Sequence, residues 1–157
     1  MRLAVLCLAL ASCLPAACNR TPAPAAASRS DAAADNARMT LGDATLQAST
    51  VAIADLNAEV ARRYGLDRSQ DGVLLLVTLR DAAGNALAPG DLHLAATAAA
   101  LGDPPHPLQL QSILVDGLTD YVGVFPAKPP ATLQFRITAV RNGARADITT
   151  NADLQPR

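Results

Sequence analysis

Aromatic side chains are scarce in this sequence, because its 157 residues include two phenylalanines, two tyrosines and no tryptophan. A hydrophobic core must therefore be built from leucine, valine, isoleucine and alanine, which supply most of the 50% hydrophobic content. Charge is also limited, since the chain has one glutamate, one lysine and a formal net charge of -1. Nucleic-acid binding requires a basic surface, so this composition excludes a nucleic-acid partner.

Cysteine is missing from the whole chain after residue 18, since the three cysteines are Cys7, Cys13 and Cys18. A domain formed by later residues holds no disulfide, even in an oxidising compartment. It also lacks a thiolate that could act as a nucleophile or a metal ligand. Thiol-based chemistry is therefore excluded from that domain.

The first 17 residues have the layout of a bacterial export signal, with Arg2, a short apolar run and then small residues before a cysteine. The apolar run is too short to cross a bilayer as a helix. We predict that residues 1–17 are a lipoprotein signal peptide and that Cys18 becomes the lipidated first residue. Cys13 follows a better lipobox sequence, Leu-Ala-Ser, but cleavage there leaves a very short signal; it remains the alternative.

A lipid on Cys18 predicts a periplasmic protein anchored to a membrane, and Asn19 beside it favours the outer membrane. The alternative is a soluble secreted periplasmic protein, cut at one of the alanine-rich sites. Residues 18–38 are rich in alanine, proline and serine and have almost nothing to bury. Such a composition predicts a disordered tether.

Residues 39–157 have the length of one domain. Apolar and polar residues alternate with a period of two in several short runs separated by turn sequences, which predicts half-buried strands. We predict an all-β fold, an immunoglobulin-like β-sandwich of about seven strands with one short helix. The predicted strands are Ala44–Val51, Val73–Leu79, Leu92–Thr97, Leu108–Gln111, Tyr121–Phe125, Leu133–Ala139 and Ala146–Thr150.

The clearest local signals lie between Leu56 and Leu87. Asn57 is a good helix N-cap and Gly65 a good left-handed stop, which predicts a short helix between them. Val73–Leu79 is almost continuously apolar, a pattern typical of a central strand that is covered on both faces.

This segment, with the later sequences GLTDYVGVF and LQFRITA, resembles the exported bacterial family known as domain of unknown function 4426, from about Thr40 to the C-terminus. The matching positions are Ala61, Tyr64, Gly65, Arg68, Ser69 and Tyr121. Asp120 and Gln70 depart from the family pattern, which has an aromatic and a basic residue there. The resemblance implies an exported β-sandwich domain and brings no established catalytic residues with it.

Side chains that could support catalysis or bind a metal are few. His93 and His106 are the two imidazoles, and Met39 could join them at a copper ion, but no short ligand spacing links the three. Most aspartates, Asp120 among them, fall where turns are expected. Ser69 has no histidine or lysine nearby in the sequence to act as its base. We therefore predict no enzymatic activity, no cofactor and no metal site.

Arginine and tyrosine, which are common anchors of protein interfaces, concentrate around the helix exit. The predicted binding residues are Arg63, Tyr64, Arg68 and, with the family resemblance, Tyr121; a purely structural role for Tyr64 and Arg68 is the alternative. We predict a non-catalytic binding or interaction module in the periplasm, whose partner is an envelope protein or another cell-envelope component. A small periplasmic copper-handling protein is the alternative function.

Overall fold

Two antiparallel β-sheets pack face to face in the structure, a computed structural model that describes residues 36–156. This part of the chain forms nine strands: β1 Asn36–Leu41, β2 Ala44–Ala52, β3 Val73–Asp81, β4 His93–Ala100, β5 His106–Leu108, β6 Gln111–Val115, β7 Leu118–Phe125, β8 Ala131–Arg141 and β9 Ala144–Leu154. The first sheet has the order β1-β2-β3-β7-β6, and the second has the order β5-β4-β8-β9. The predicted all-β sandwich is confirmed.

The structure has two more strands than the sequence predicts. Strand β1 is not among the predicted strands, although its sequence, NARMTL, alternates polar and apolar residues. This strand begins at Asn36, inside the segment predicted as a tether. The predicted strand Leu108–Gln111 is wrong as a single element, because the chain leaves the second sheet after β5 and enters the first sheet at β6.

The predicted signal peptide, both candidate lipidation residues and most of the predicted tether lie outside the described residues. Within residues 36–156, the one α-helix is α1, Ala58–Arg63. No helix in this described part is long and apolar enough to cross a membrane.

The space between the sheets is filled by a large apolar core. Strand β3 occupies the centre of the five-stranded sheet, as predicted. Its inward residues are all fully buried in this core, and they are Val73, Leu75, Val77 and Leu79. Two of the scarce aromatic residues meet here, because the rings of Phe125 and Phe135 pack edge to face with centroids 6.3 Å apart.

Helix α1 begins and ends where the sequence predicts. The Asn57 side chain accepts a hydrogen bond of 2.8 Å from the backbone N–H of Val60. Gly65 follows the helix with φ of +66°, a left-handed conformation that other residues adopt at a cost. The helix lies over the outward face of the first sheet, where Leu56, Ala61 and β3 residue Leu74 form a second, smaller core.

One side of the sandwich is closed by β1 and β9, the neighbouring edge strands of the two sheets. The Thr50 hydroxyl donates to the carbonyl oxygen of Asn151 at 2.7 Å, so β2 also bonds to β9. Strands β8 and β9 are joined by the tight turn at Asn142 and Gly143, both with positive φ, as the sequence predicts.

Candidate binding site at the helix exit

Three polar side chains meet where α1 ends above the first sheet. The Tyr64 hydroxyl donates to Oδ2 of Asp120 at 3.4 Å, which is long for a hydrogen bond of this kind. The Arg80 guanidinium donates to the other carboxylate oxygen, Oδ1, at 3.2 Å. Asp120 is only 6% exposed, whereas the Arg80 side chain is 22% exposed. The carboxylate is therefore buried with both oxygens bonded, and the arginine connects it to solvent.

Strand register brings these side chains together. Asp120 on β7 lies opposite Thr78 on β3, and Arg80 follows Thr78 at the next position on the same face. Tyr64 is the C-cap of α1, so the helix end delivers its ring to the sheet. The predicted turn role of Asp120 is wrong, because this residue lies within β7 and its carboxylate pairs with an arginine.

The pKa of the Tyr64 hydroxyl is raised above its usual value of 10.0. Burial is the largest cause, because the charged phenolate would be poorly solvated there. The negative charge of Asp120 and the hydrogen bond to it raise the pKa further, while the positive charges of Arg63 and Arg80 oppose the rise. Two arginines are thus close enough to act electrostatically on the ring of Tyr64.

The outward face of the first sheet has a covered half and an open half. Apolar side chains fill the covered half beneath α1, where Leu74 and Val122 are buried. The open half carries polar side chains from neighbouring strands, which are Arg38, Thr40, Thr45, Gln47, Thr78 and Arg80. Arg38 donates to the side-chain oxygen of Gln47 at 2.8 Å across two strands. The Tyr64, Asp120 and Arg80 cluster lies on the border between the two halves.

Arg63 borders this cluster and keeps an exposed side chain. Its guanidinium lies 3.6 Å from the Glu59 carboxylate one helical turn earlier, a surface pair that contributes little stability. The neighbouring Arg62 is also exposed and has no bonded partner among the described residues.

Arg68 has a different environment from Arg63. Its guanidinium donates to the carbonyl oxygen of Ala54 at 3.3 Å, which connects the loop after α1 to the 3-10 turn Ile53–Asp55. In the same loop, Asp67 accepts a hydrogen bond of 2.9 Å from the backbone N–H of Ser69, and this bond lowers the pKa of its carboxyl group. Arg68 therefore makes one contact within the protein while its side chain remains exposed.

Tyr121 is separated from the other three predicted binding residues. Neighbouring residues on a strand point to opposite faces, so Tyr121 points toward the sandwich interior while Asp120 faces α1. Its ring packs against the main core, and burial raises the pKa of its hydroxyl. The structure brings Arg63 and Tyr64 together with Asp120 and Arg80, and it does not bring Tyr121 to that group.

The two histidines lie far apart. His93 pairs with Val140, whereas His106 pairs with Ala98, five residues further along β4. At a strand rise of about 3.3 Å per residue, this offset is about 16 Å. Met39 lies on β1 in the other sheet. Among the described residues, no group of three or more histidine, cysteine, aspartate and glutamate side chains could hold a metal ion.

The fold and the site together define a two-sheet β-sandwich with one covering helix and a polar cluster at the helix exit. The chain belongs to the family described as domain of unknown function DUF4426, whose model matches residues 38–154. This match confirms the resemblance seen in the sequence.

Solved structures support the same fold. A DUF4426 family protein from Pseudomonas aeruginosa is 21% identical with a TM-score of 0.60, covering 78% of this chain and 97% of that chain. A copper-bound variant of FetP from uropathogenic Escherichia coli is 11% identical with a TM-score of 0.53, and the match covers 79% of this chain and 92% of that chain. The as-isolated form of that FetP gives 10% identity and a TM-score of 0.50, covering 78% and 95%. No curated protein matches the chain.

Proposed function

We propose that this protein is a non-catalytic binding module of the cell envelope. Its contact surface comprises the open half of the first sheet and the helix exit, here called the helix-exit surface, with Arg38, Arg63 and Arg80 as its main cations. Its partner is an envelope protein or another cell-envelope component that presents carboxylate or phosphate groups.

The observation that carries this proposal is the arrangement of cations around one buried carboxylate. Asp120 is enclosed and bonded to both Arg80 and Tyr64, so it holds those two groups in place without presenting its own charge to solvent. Arg38 is bonded to a neutral partner, Gln47. Arg63 lies 3.6 Å from the exposed Glu59 carboxylate, so three arginines on this surface face two carboxylates, and the excess charge is positive.

The outward face of the second sheet provides the contrast. Arg145 there lies 3.0 Å from Asp147, which also accepts a 2.6 Å hydrogen bond from Thr138. Asp153 accepts a further hydrogen bond from Thr132. Acidic and basic groups balance each other on that face, which makes it less suited to an anionic partner. Arginine is well suited to carboxylate and phosphate because its planar group donates in a fork.

The position of the domain in the cell is part of the same proposal. A lipid on Cys18, followed by the tether, would hold the module at the periplasmic side of the outer membrane. The intact mass of the protein extracted from membranes tests this directly. A mature chain that begins at Cys18 with acyl groups is expected, and one that begins at Cys13 or at an alanine overturns this processing.

Crosslinking in the native envelope tests the contact surface. The parent chain is expected to capture a discrete partner, and the double variant Arg38→Glu, Arg63→Glu is expected to lose it without a change in folding midpoint. The matched control is Arg136→Glu, Arg145→Glu on the outward face of the second sheet, which should retain the partner. Equal capture by both double variants would contradict the proposed surface.

Copper handling is the second candidate, and its support is the likeness of fold to copper-bound FetP. The spacing of His93 and His106 weighs against a site formed by both in one copy. A copper titration of the purified protein separates the two candidates. A copper affinity that is at least about tenfold lower in the double variant His93→Ala, His106→Ala would favour the metal candidate. Unchanged affinity would leave it without support from these residues.

A further inference from the structure

The four edge strands of the sandwich differ in how they are protected from pairing with another strand. Strand β1 lies beside β9, and β9 carries the charged residues Arg145, Asp147 and Asp153. Strand β5 has three residues, one of which is Pro107. Charges, proline, short length and coverage are the usual ways in which proteins prevent edge-to-edge pairing. Three edges of the described structure therefore carry such protection.

Strand β6 carries none of these features. Its five residues, Gln111–Val115, include no charge and no proline, and within residues 36–156 it pairs only with β7. It also carries Leu114, whose side chain is 74% exposed although it lies in a regular strand. An exposed, uncharged edge with a solvent-facing leucine is a template for an added strand.

We propose that β6 pairs with β6 of a second copy of this chain, in antiparallel orientation, to join two five-stranded sheets into one. The antiparallel register that uses all five residues is centred on Ile113. Ile113 then lies opposite Ile113 of the second copy, Gln111 opposite Val115, and Ser112 opposite Leu114. No like charges meet in this register, and a symmetric contact of this kind closes as a dimer.

This register also covers the exposed leucine. Leu114 lies opposite the small Ser112 of the second copy, which leaves room for the longer side chain. The two Leu114 side chains are diagonal neighbours on one face, at a separation that long side chains can bridge. The interface is small, because only five residues on each chain take part, so the dimer is expected to be concentration-dependent.

Disulfide trapping tests the register. The full chain with Cys7, Cys13 and Cys18 replaced by serine provides a background without thiols. In this background, Ser112→Cys, Leu114→Cys should form a covalent dimer on mild oxidation, because opposite residues lie within disulfide range. Each single variant should remain mainly monomeric, because diagonal positions are too far apart. Both positions are exposed, so the fold should be retained.

Sedimentation of the same background protein tests the association itself. Increasing concentration should shift the mass toward twice the monomer, and Leu114→Lys should weaken association by about tenfold or more because it places a charge on the edge. The matched control is Leu101→Lys, which changes a leucine that is 86% exposed in a loop and should leave association unchanged. A monomer at all concentrations overturns the proposal. Equal weakening by both lysine variants, or crosslinking of the single cysteine variants as fast as the double, also overturns it.

Discussion

Residues 36–156 form two hydrophobic cores, and the two differ in what closes them off from solvent. The main core, between the sheets, is built from alternate residues of long strands and contains Phe135 and Leu75 with no exposed surface. The smaller core, between α1 and the outward face of the first sheet, ends at the polar cluster of Tyr64, Asp120 and Arg80. The first is closed on both sides by sheets, whereas the second has a border that faces solvent.

This difference indicates where substitutions cost less stability. Substitutions in the main core create cavities that rigid sheets cannot fill, and the scarcity of large side chains limits repacking. The border of the smaller core contains groups that are already polar and partly exposed. A binding surface can therefore change there while the sandwich stays folded.

The largest effect is expected from a cavity in the main core. Leu75→Ala should lower the free energy of unfolding by about 3–5 kcal/mol, because Leu75 is fully buried between the sheets. Leu76→Ala is the matched control on the same strand, and it should cost clearly less because Leu76 is only half-buried. Denaturant unfolding measures both, and equal costs would remove the distinction between the two cores.

A smaller loss is expected from the border of the second core. Asp120→Ala should cost about 2–3 kcal/mol, because it leaves Arg80 and the Tyr64 hydroxyl without their acceptor. The cost stays below that of a fully buried pair, because Arg80 reaches solvent. The double variant Arg80→Ala, Asp120→Ala should lose less free energy of unfolding than the two single variants lose in sum. Additive costs would show that the two groups do not interact.

The free energy of unfolding at alkaline pH tests the contact between Tyr64 and Asp120. The folded protein holds the Tyr64 proton at a pH where the unfolded chain, with a tyrosine pKa near 10, has begun to lose it. The free energy of unfolding should therefore fall as the pH rises above about 10, and it should be unaffected by this group below that pH. Tyr64→Phe should reduce the slope.

Tyrosinate absorbance measures the same effect in the folded state, and the absence of tryptophan simplifies the spectrum. Asp120→Asn should lower the pKa of Tyr64 toward its usual value, because it removes a negative charge. Tyr121 provides the internal reference, since burial alone raises its pKa. A Tyr64 pKa that does not respond to Asp120→Asn would contradict the described contact.

The smallest effect is expected at Arg68. Its single 3.3 Å bond to the Ala54 carbonyl is exposed, so Arg68→Ala should cost less than about 1 kcal/mol. Tyr64→Ala should cost more, because its ring packs into the smaller core. Denaturant midpoints compare the two. Similar losses for both variants would assign Arg68 a structural role.

Local sequence signals predict the elements well but not the contacts of the site. Asn57 and Gly65 bound the helix because capping depends on neighbouring residues, and the apolar run Val73–Leu79 identifies the central strand. The polar cluster depends on pairs distant in sequence: Asp120 lies 40 residues from Arg80 and 56 from Tyr64. No local pattern encodes such separations.

A second example of the same limit is Arg141. It is 8% exposed and pairs with Asp43, 98 residues away in the sequence. Asp43 lies in the turn between β1 and β2, and Arg141 is the last residue of β8, so only the packing of β8 against the β1–β2 turn joins them. Strand β1 is a related case, because its six residues alternate but directly follow the alanine-rich segment, and its pairing with β2 and position beside β9 distinguish it as a strand.

We propose that the helix-exit surface, and not the opposite face of the sandwich, contacts a partner in the envelope. Site-specific photocrosslinking tests it most directly, with the reactive residue placed at Thr40 on the open half of the first sheet or at Thr149 on the outward face of the second. Both threonines are exposed on strands, so the two variants are matched. A discrete crosslinked product is expected from position 40 and should disappear with Arg63→Glu, whereas no such product is expected from position 149. Capture from position 149 alone, or equally from both positions, would contradict it.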